Sequence, residues 1–143
     1  MKILIGIDTG VHTGFAVAFD HGEGGVLQKV ESLSITQAMQ SVLEYEDEHD
    51  LKDIMLYIED ARKRTWFTGG REKAQGVGSV KRDAQIWEDW CTEQGLNFKM
   101  IHPAENATKM KAADFTRMTG WTGRTNEHAR DAAMLVFKRY WKA

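Results

Sequence analysis

Three carboxylates in this sequence stand where a carboxylate is costly. Asp8 follows the apolar run KILIGI, Glu59 closes DIMLYI, and Asp131 lies in the alanine-rich stretch NEHARDAAMLV. A buried carboxylate needs a cation or hydrogen bonds to offset its lost hydration. Asp and Glu oxygens are hard ligands that suit Mg2+ or Mn2+ rather than zinc or copper. Two such ions about 4 Å apart can activate a water and stabilise the leaving oxygen of a phosphodiester. His128, three residues before Asp131, puts an imidazole on the same flank of a helix. Each residue also has a plainer reading taken alone: Asp8 as a turn residue accepting N–H bonds from Thr9 and Gly10, His128 as polar surface.

For these residues to meet, the elements carrying them must be neighbours. Residues 2–8 read as a strand buried on both faces, 15–19 as a second strand, DHGEGG (20–25) as a hairpin turn and 26–33 as a third strand. Ser34 and Gln37 form a capping box ahead of a stripe of Ile35, Ala38, Met39, Val42 and Leu43. A fourth strand is expected at 53–60 and a fifth at 96–103. Between them, a polar, basic stretch (61–78) leads to a helix from about Ser79 to Gln94, with Val80, Ala84, Trp87 and Cys91 on one face and Gly95 as its C-cap. A short helix follows Pro103. The last helix is expected from about Asn126 to Trp141, capped by Thr125 or Asn126, with Ala129, Ala132, Ala133, Val136, Phe137 and Tyr140 facing the core. Its positive N-terminal end biases His128 toward neutral imidazole, the form that binds a metal or accepts a proton.

The order β-β-β-α-β-α-β-α-α predicts a single α/β domain over 1–143. It is a mixed five-stranded sheet with helices on both faces, the pattern of the ribonuclease H-like fold. Side chains alternate along a strand, so only one of Glu59 and Asp60 can share a face with Asp8. Glu59 is the expected partner and Asp60 a solvated turn residue.

Composition narrows the setting. The chain has 143 residues, one Pro and one Cys, so it is expected to form a full core with no internal disulfide and no cysteine-rich zinc site. Asp8 interrupts the N-terminal apolar run too early for a signal peptide, and no stretch reads as a membrane span. The protein is expected to be cytoplasmic. The net charge of −2 conceals an asymmetry: residues 1–60 carry three Lys and Arg against twelve Asp and Glu, whereas 61–143 carry sixteen against nine. A basic half on a near-neutral chain suits a phosphate-rich partner. An unevenly charged solvated surface is the plainer alternative.

The segments IGIDTGVHTGFAV, YIED, QGVGSVKRDAQIW and EHARDAAMLV resemble, in order, those of the RuvC-like Holliday junction resolvases. The resemblance spans nearly the whole chain. That family opens on G-x-D-x-G, here Gly6, Asp8 and Gly10, with Thr13-Gly14 leading the next strand. It ends an apolar strand in Ile-Glu, here Ile58-Glu59, and carries Asp/His-x-x-Asp-Ala on its last helix, here His128, Asp131 and Ala132. The resemblance implies a homodimeric nuclease that uses Mg2+ or Mn2+, two ions per site, held by Asp8, Glu59, His128 and Asp131. It would nick opposed strands of a four-way DNA junction in a bacterial cell or a phage-infected host, with phage origin an open expectation.

The chain departs from the family after Glu59, where Arg62, Lys63 and Arg64 precede Trp66 and Phe67. Either aromatic could stack on an unpaired base at the crossover, or cap the core. Lys81 and Arg82 are read as opening a helix whose N–H groups could hold a phosphate. Arg62, Lys63, Arg64, Lys109, Lys111 and Arg124 are further candidate DNA contacts, and Arg124 and Arg130 flank the last helix. Three rival readings share parts of this pattern. A GID-x-G hairpin also opens ATP-binding proteins of the actin and sugar-kinase fold, which need a second domain that 143 residues cannot supply. Another ribonuclease H-like nuclease could act on branched DNA or RNA–DNA hybrids. A non-catalytic binding module would have no need of all four site residues.

Overall fold

The computed structural model describes residues 1–63 and 71–140, excepting the side chains of 71–77 and of 80. Five strands form one mixed sheet: β1 (Lys2–Asp8), β2 (Thr13–Asp20), β3 (Val26–Leu33), β4 (Ile54–Glu59) and β5 (Phe98–Ile101), in the order β3-β2-β1-β4-β5. The first three are joined by tight turns and pair antiparallel. In the β2–β3 turn, Asp20 Oδ1 accepts from the backbone N–H groups of Gly22 and Gly24 at 2.7 and 3.0 Å. β4 and β5 each follow a helix and pair parallel to their neighbours, as crossover connections require.

Alternation along the strands sorts two cores. Ile3, Ile5 and Ile7 of β1 join Ile54, Leu56 and Ile58 of β4 under α1 (Ile35–Glu48) and α2 (Arg71–Gln94), against Ala38, Val42, Trp87 and Cys91. Leu4 of β1 and Met55 and Tyr57 of β4 face the other way, toward α3 (Ala112–Thr119) and α4 (Glu127–Val136), against Phe115, Ala129, Ala132, Ala133, Leu135 and Val136. Asp8 and Glu59 continue this second series, so strand pleating aims both toward α4. The capping box of α1 is present in both directions: Gln37 N–H donates to Ser34 Oγ, and Ser34 N–H donates to Gln37 Oε1. Gly95 is left-handed, with φ of 70°, and ends α2 as expected.

Two helix boundaries differ from expectation. α2 begins at Arg71 rather than near Ser79 and runs through Gly78. An interior glycine costs about 1 kcal/mol of helix propensity, which a long packed helix can carry. Lys81 and Arg82 are therefore interior to α2, and the expected phosphate contact through helix N-terminal amides is not made there. The last helix stops at Val136, short of Trp141, because the backbone finds other partners. Lys138 turns left-handed with φ of 55°, its N–H donates to Gly25 O, and Gly25 N–H donates to Arg139 O. Phe137 is consequently half-buried and Tyr140 exposed, not on the core face of a continuing helix. No helix among the described residues is long and apolar enough to cross a membrane.

Candidate active site

Three elements bring the carboxylates together. The parallel register Ile7↔Ile58 sets the ends of β1 and β4 side by side, and Thr9 Oγ1 donates to Glu59 O at 3.4 Å across that junction. α4 then lies directly on the sheet. A Cβ on Gly6 would come within 2.2 Å of Ala132 O, and one on Gly14 within 1.9 Å of His128 O. Only glycine permits this approach, and it delivers the first turns of α4 to the end of β1.

The outcome is a compact cluster. Asp8, Glu59 and Asp131 each offer a carboxylate oxygen within 4.8 Å of the others. Glu59 is 3% and Asp131 7% exposed, while the Asp8 side chain keeps 13% exposure as the mouth of the site. Asn126 caps α4, accepting from Ala129 N–H at 2.9 Å, and Thr125 Oγ1 instead accepts from Arg130. His128 Nδ1 lies 3.1 Å from Asp8 Oδ2. A carboxylate can only accept, so Nδ1 donates and the second ring nitrogen, Nε2, is left for another partner. All four expected site residues thus meet at one place.

A strap that sequence reasoning missed fixes Asp131. Lys109 adopts φ of 58°, and its backbone N–H donates to Asp131 Oδ1 at 2.8 Å. Asn106 Nδ2 donates to Asp131 O at 3.0 Å, and Arg130 Nε donates to Met110 O at 2.8 Å. The residues from Asn106 to Met110 are thereby tied to α4 on both sides of the carboxylate. His12, also missed, stacks on His128 with ring centroids 6.4 Å apart. Its only sequence signal was proximity to Asp8 in the TGVHTG turn.

The donor set fits hard divalent cations. Burial pushes the Asp131 carboxyl up; the Lys109 N–H bond pulls it down, Glu59 and Glu127 push it up, and His128 pulls it down, for a net rise. With the folded value above the unfolded one, ionised Asp131 lowers stability at neutral pH, and this penalty fades as pH falls through the folded value. Asp131→Asn is therefore expected to stabilise the metal-free protein at pH 7 and not at pH 3. Mg2+ at 100 times its dissociation constant should add about 2.7 kcal/mol to the wild type and much less to the variant. Thermal melts with EDTA or Mg2+ measure both, and an equal Mg2+ gain in the two proteins would remove Asp131 from the ligand set.

Asp60 is not the solvated turn residue expected. It is 2% exposed, and Arg62 grips it with Nε to Oδ1 at 2.8 Å and Nη2 to Oδ2 at 2.9 Å. Arg62 also reaches Glu88 at 3.0 Å and Gln85 at 2.6 Å on α2. Its guanidinium is thus engaged within the protein and locks the turn after β4 to that helix. Burial pushes Asp60 up, but the Arg62 hydrogen bonds and charge outweigh it and hold the carboxyl below its usual value. Stability from a depressed carboxyl is present above its unfolded value, about 3.9, and is lost as pH falls through the folded value. Arg62→Gln should cost about 3 kcal/mol at pH 7, since it leaves a buried charge uncompensated, and far less near pH 2. Urea melts at the two pH values test this, and a deficit that does not change with pH would contradict it.

The other expected contacts scatter around the site. Lys63 is exposed and its Nζ lies 3.5 Å from Met100 O. Lys81 and Arg82 are exposed on α2, as are Lys109 and Lys111 before α3 and Arg124 before α4. Arg64, Trp66 and Phe67 lie outside the described residues.

The sheet order, its mixed pairing and the helices on both faces define a ribonuclease H-like α/β fold. Among solved structures, the chain is similar to RuvC of T. thermophilus in complex with Holliday junction substrate. The TM-score is 0.54 at 18% identity, over 94% of this chain and 90% of that one. No family model matches the sequence, and no curated protein does either.

Proposed function

We propose that the protein is a divalent-metal-dependent endonuclease that resolves four-way DNA junctions, working as a homodimer in the cytoplasm of a bacterial cell or phage-infected host. The observation that carries this reading is the meeting of Asp8, Glu59 and Asp131, with His128 hydrogen-bonded to Asp8, at one end of the sheet. The likeness in fold to a protein solved with Holliday junction substrate supports it.

Asp8, Glu59 and Asp131 would hold Mg2+ or Mn2+, two ions per site. Such ions, when bound, supply an activated attacking water and neutralise charge at the leaving oxygen. His128 is anchored through Nδ1, so Nε2 is the atom that can bind a second partner or move a proton at a reacting oxygen. The strap at Asn106 and Lys109 holds Asp131 to a single orientation. Lys63, Lys109, Lys111 and Arg124 would contact phosphates around this centre, with Lys81 and Arg82 farther along α2. Arg64 and the aromatic pair Trp66 and Phe67 are assigned to the junction crossover. Two symmetric cuts need two active sites, and one chain provides one, which is the reason for a dimer.

The test compares cleavage of a four-way junction, a three-way branch, a plain duplex and an RNA–DNA hybrid in Mg2+. The junction should be nicked symmetrically and about 100-fold faster than duplex, a difference of roughly 2.7 kcal/mol in barrier. Preferred cleavage of the hybrid would reassign the protein to a different ribonuclease H-like activity. Equal cleavage of both branched substrates would widen it to general branched-DNA processing.

A further inference from the structure

His128 is tied to the carboxylates at one ring atom. Its Nδ1 lies 3.1 Å from Asp8 Oδ2, and 49% of its side chain is exposed. The last torsion of an imidazole is broad and roughly two-fold, so the backbone does not define the ring plane. A hydrogen bond at Nδ1 fixes where that atom sits and still lets the ring tilt about it. Asp131, by contrast, is buried and held by the strap from Asn106 to Lys109. For Nε2 to serve a reacting oxygen, its direction matters as much as its position.

The turn between β1 and β2 supplies a second restraint. The His12 ring stacks on His128 with centroids 6.4 Å apart and planes inclined by 28°, within the range over which aromatic rings attract. His12 stands on a firm base. One residue on, Thr13 is fully buried, pairs with Leu33 of β3, and donates from Oγ1 to Gly10 O at 2.8 Å. Two residues on, Gly14 pairs with Asp8 and lies so near His128 that a Cβ would stand 1.9 Å from the His128 carbonyl oxygen. The close approach that delivers α4 to the sheet therefore also sets the two imidazoles beside each other. Asp8 meets the His128 ring at its Nδ1 edge, and His12 meets it on its face.

We infer that His12 is a positioning residue for the proposed cleavage: its ring fixes the plane of His128 and so the direction in which Nε2 points. The inference rests on the nuclease reading above and adds to it a residue outside the carboxylate cluster. The restraint is made through a ring face, so an aromatic side chain without nitrogens can replace it. Its loss should fall on the chemical step and spare DNA binding, because a well-aimed Nε2 is used only as the bond breaks.

The experiment compares wild type, His12→Ala and His12→Phe. Single-turnover cleavage of a four-way junction at saturating protein in Mg2+ reads the chemical step, and anisotropy of the labelled junction in EDTA reads binding. His12→Ala should slow the step about fivefold, roughly 1 kcal/mol, with affinity within about twofold of wild type. His12→Phe should recover about half of that loss or more. Carbon-13 relaxation at His128 Cε1 in EDTA reads the order of the ring without any cleavage; it should fall in the Ala protein and return in the Phe protein. A rate that Phe does not recover, or junction binding weakened by His12→Ala, would make His12 a direct DNA contact and overturn the inference. Unchanged order of the His128 ring in the Ala protein would overturn it too. If wild type cleaves none of the DNA substrates, the functional reading falls, and the relaxation comparison still decides whether His12 orients His128.

Discussion

Asp8→Asn is expected to lower metal-dependent junction cleavage by about a thousandfold, the loss of roughly 4 kcal/mol of charge stabilisation, while junction binding in EDTA stays within about twofold. The substitution is informative because it changes charge and little else. Asn Oδ1 can still accept from His128 Nδ1, so the 3.1 Å contact and the ring's orientation can survive. Asp8 is also the most exposed of the three carboxylates, so its loss opens no large cavity. A gel assay of nicking beside anisotropy in EDTA separates the two effects. Cleavage at wild-type rate by Asp8→Asn would remove the carboxylate cluster from the mechanism. A parallel loss of binding would show that Asp8 shapes the surface instead.

Gly6→Ala should cost about 3 kcal/mol or more of stability, the upper end of what overpacking does, and should abolish activity although residue 6 carries no functional group. The new methyl would stand 2.2 Å from Ala132 O. That oxygen belongs to helix backbone and cannot swing aside as a flexible side chain could, so α4 must lift from β1 and β2. Lifting α4 separates Asp131 and His128 from Asp8. Gly78→Ala is the matched control: a Cβ there meets nothing within 4 Å, and the residue is interior to α2. It should be neutral or stabilising by up to about 1 kcal/mol. Urea denaturation of both variants gives the comparison, and similar midpoints would show that the close approach of α4 is not a constraint.

Much of the site was legible because each acidic residue breaks a strong local pattern. Asp8 and Glu59 end apolar strands, and a period of two is enough to choose Glu59 over Asp60 as the partner of Asp8. Asp131 and His128 three residues apart on an amphipathic helix follow from a period of 3.6. The same local logic misjudged Asp60. A carboxylate beside three basic residues reads as solvated, and nothing local shows that Arg62 folds back through a short turn to bury it against α2. The stretch 61–78 likewise read as a polar lead-in to a helix near Ser79, whereas α2 starts at Arg71, because propensity is a weak prior that packing overrides. The end of α4 was hidden for a related reason: its termination depends on Gly25, more than a hundred residues earlier.

Sequence alone determined the order of the elements and the fold class, and it singled out the four residues that the fold brings together, since these depend on periodicity and on residue chemistry within short windows. Only the tertiary structure decided how those residues are held. The left-handed Lys109 that donates to Asp131, the stacking of His12 on His128, and the need for glycine at 6 and 14 all arise from contacts between segments distant in sequence. Such contacts are set by sheet register and by how closely α4 approaches the strands. No local pattern encodes either quantity, because each emerges only when the whole core packs.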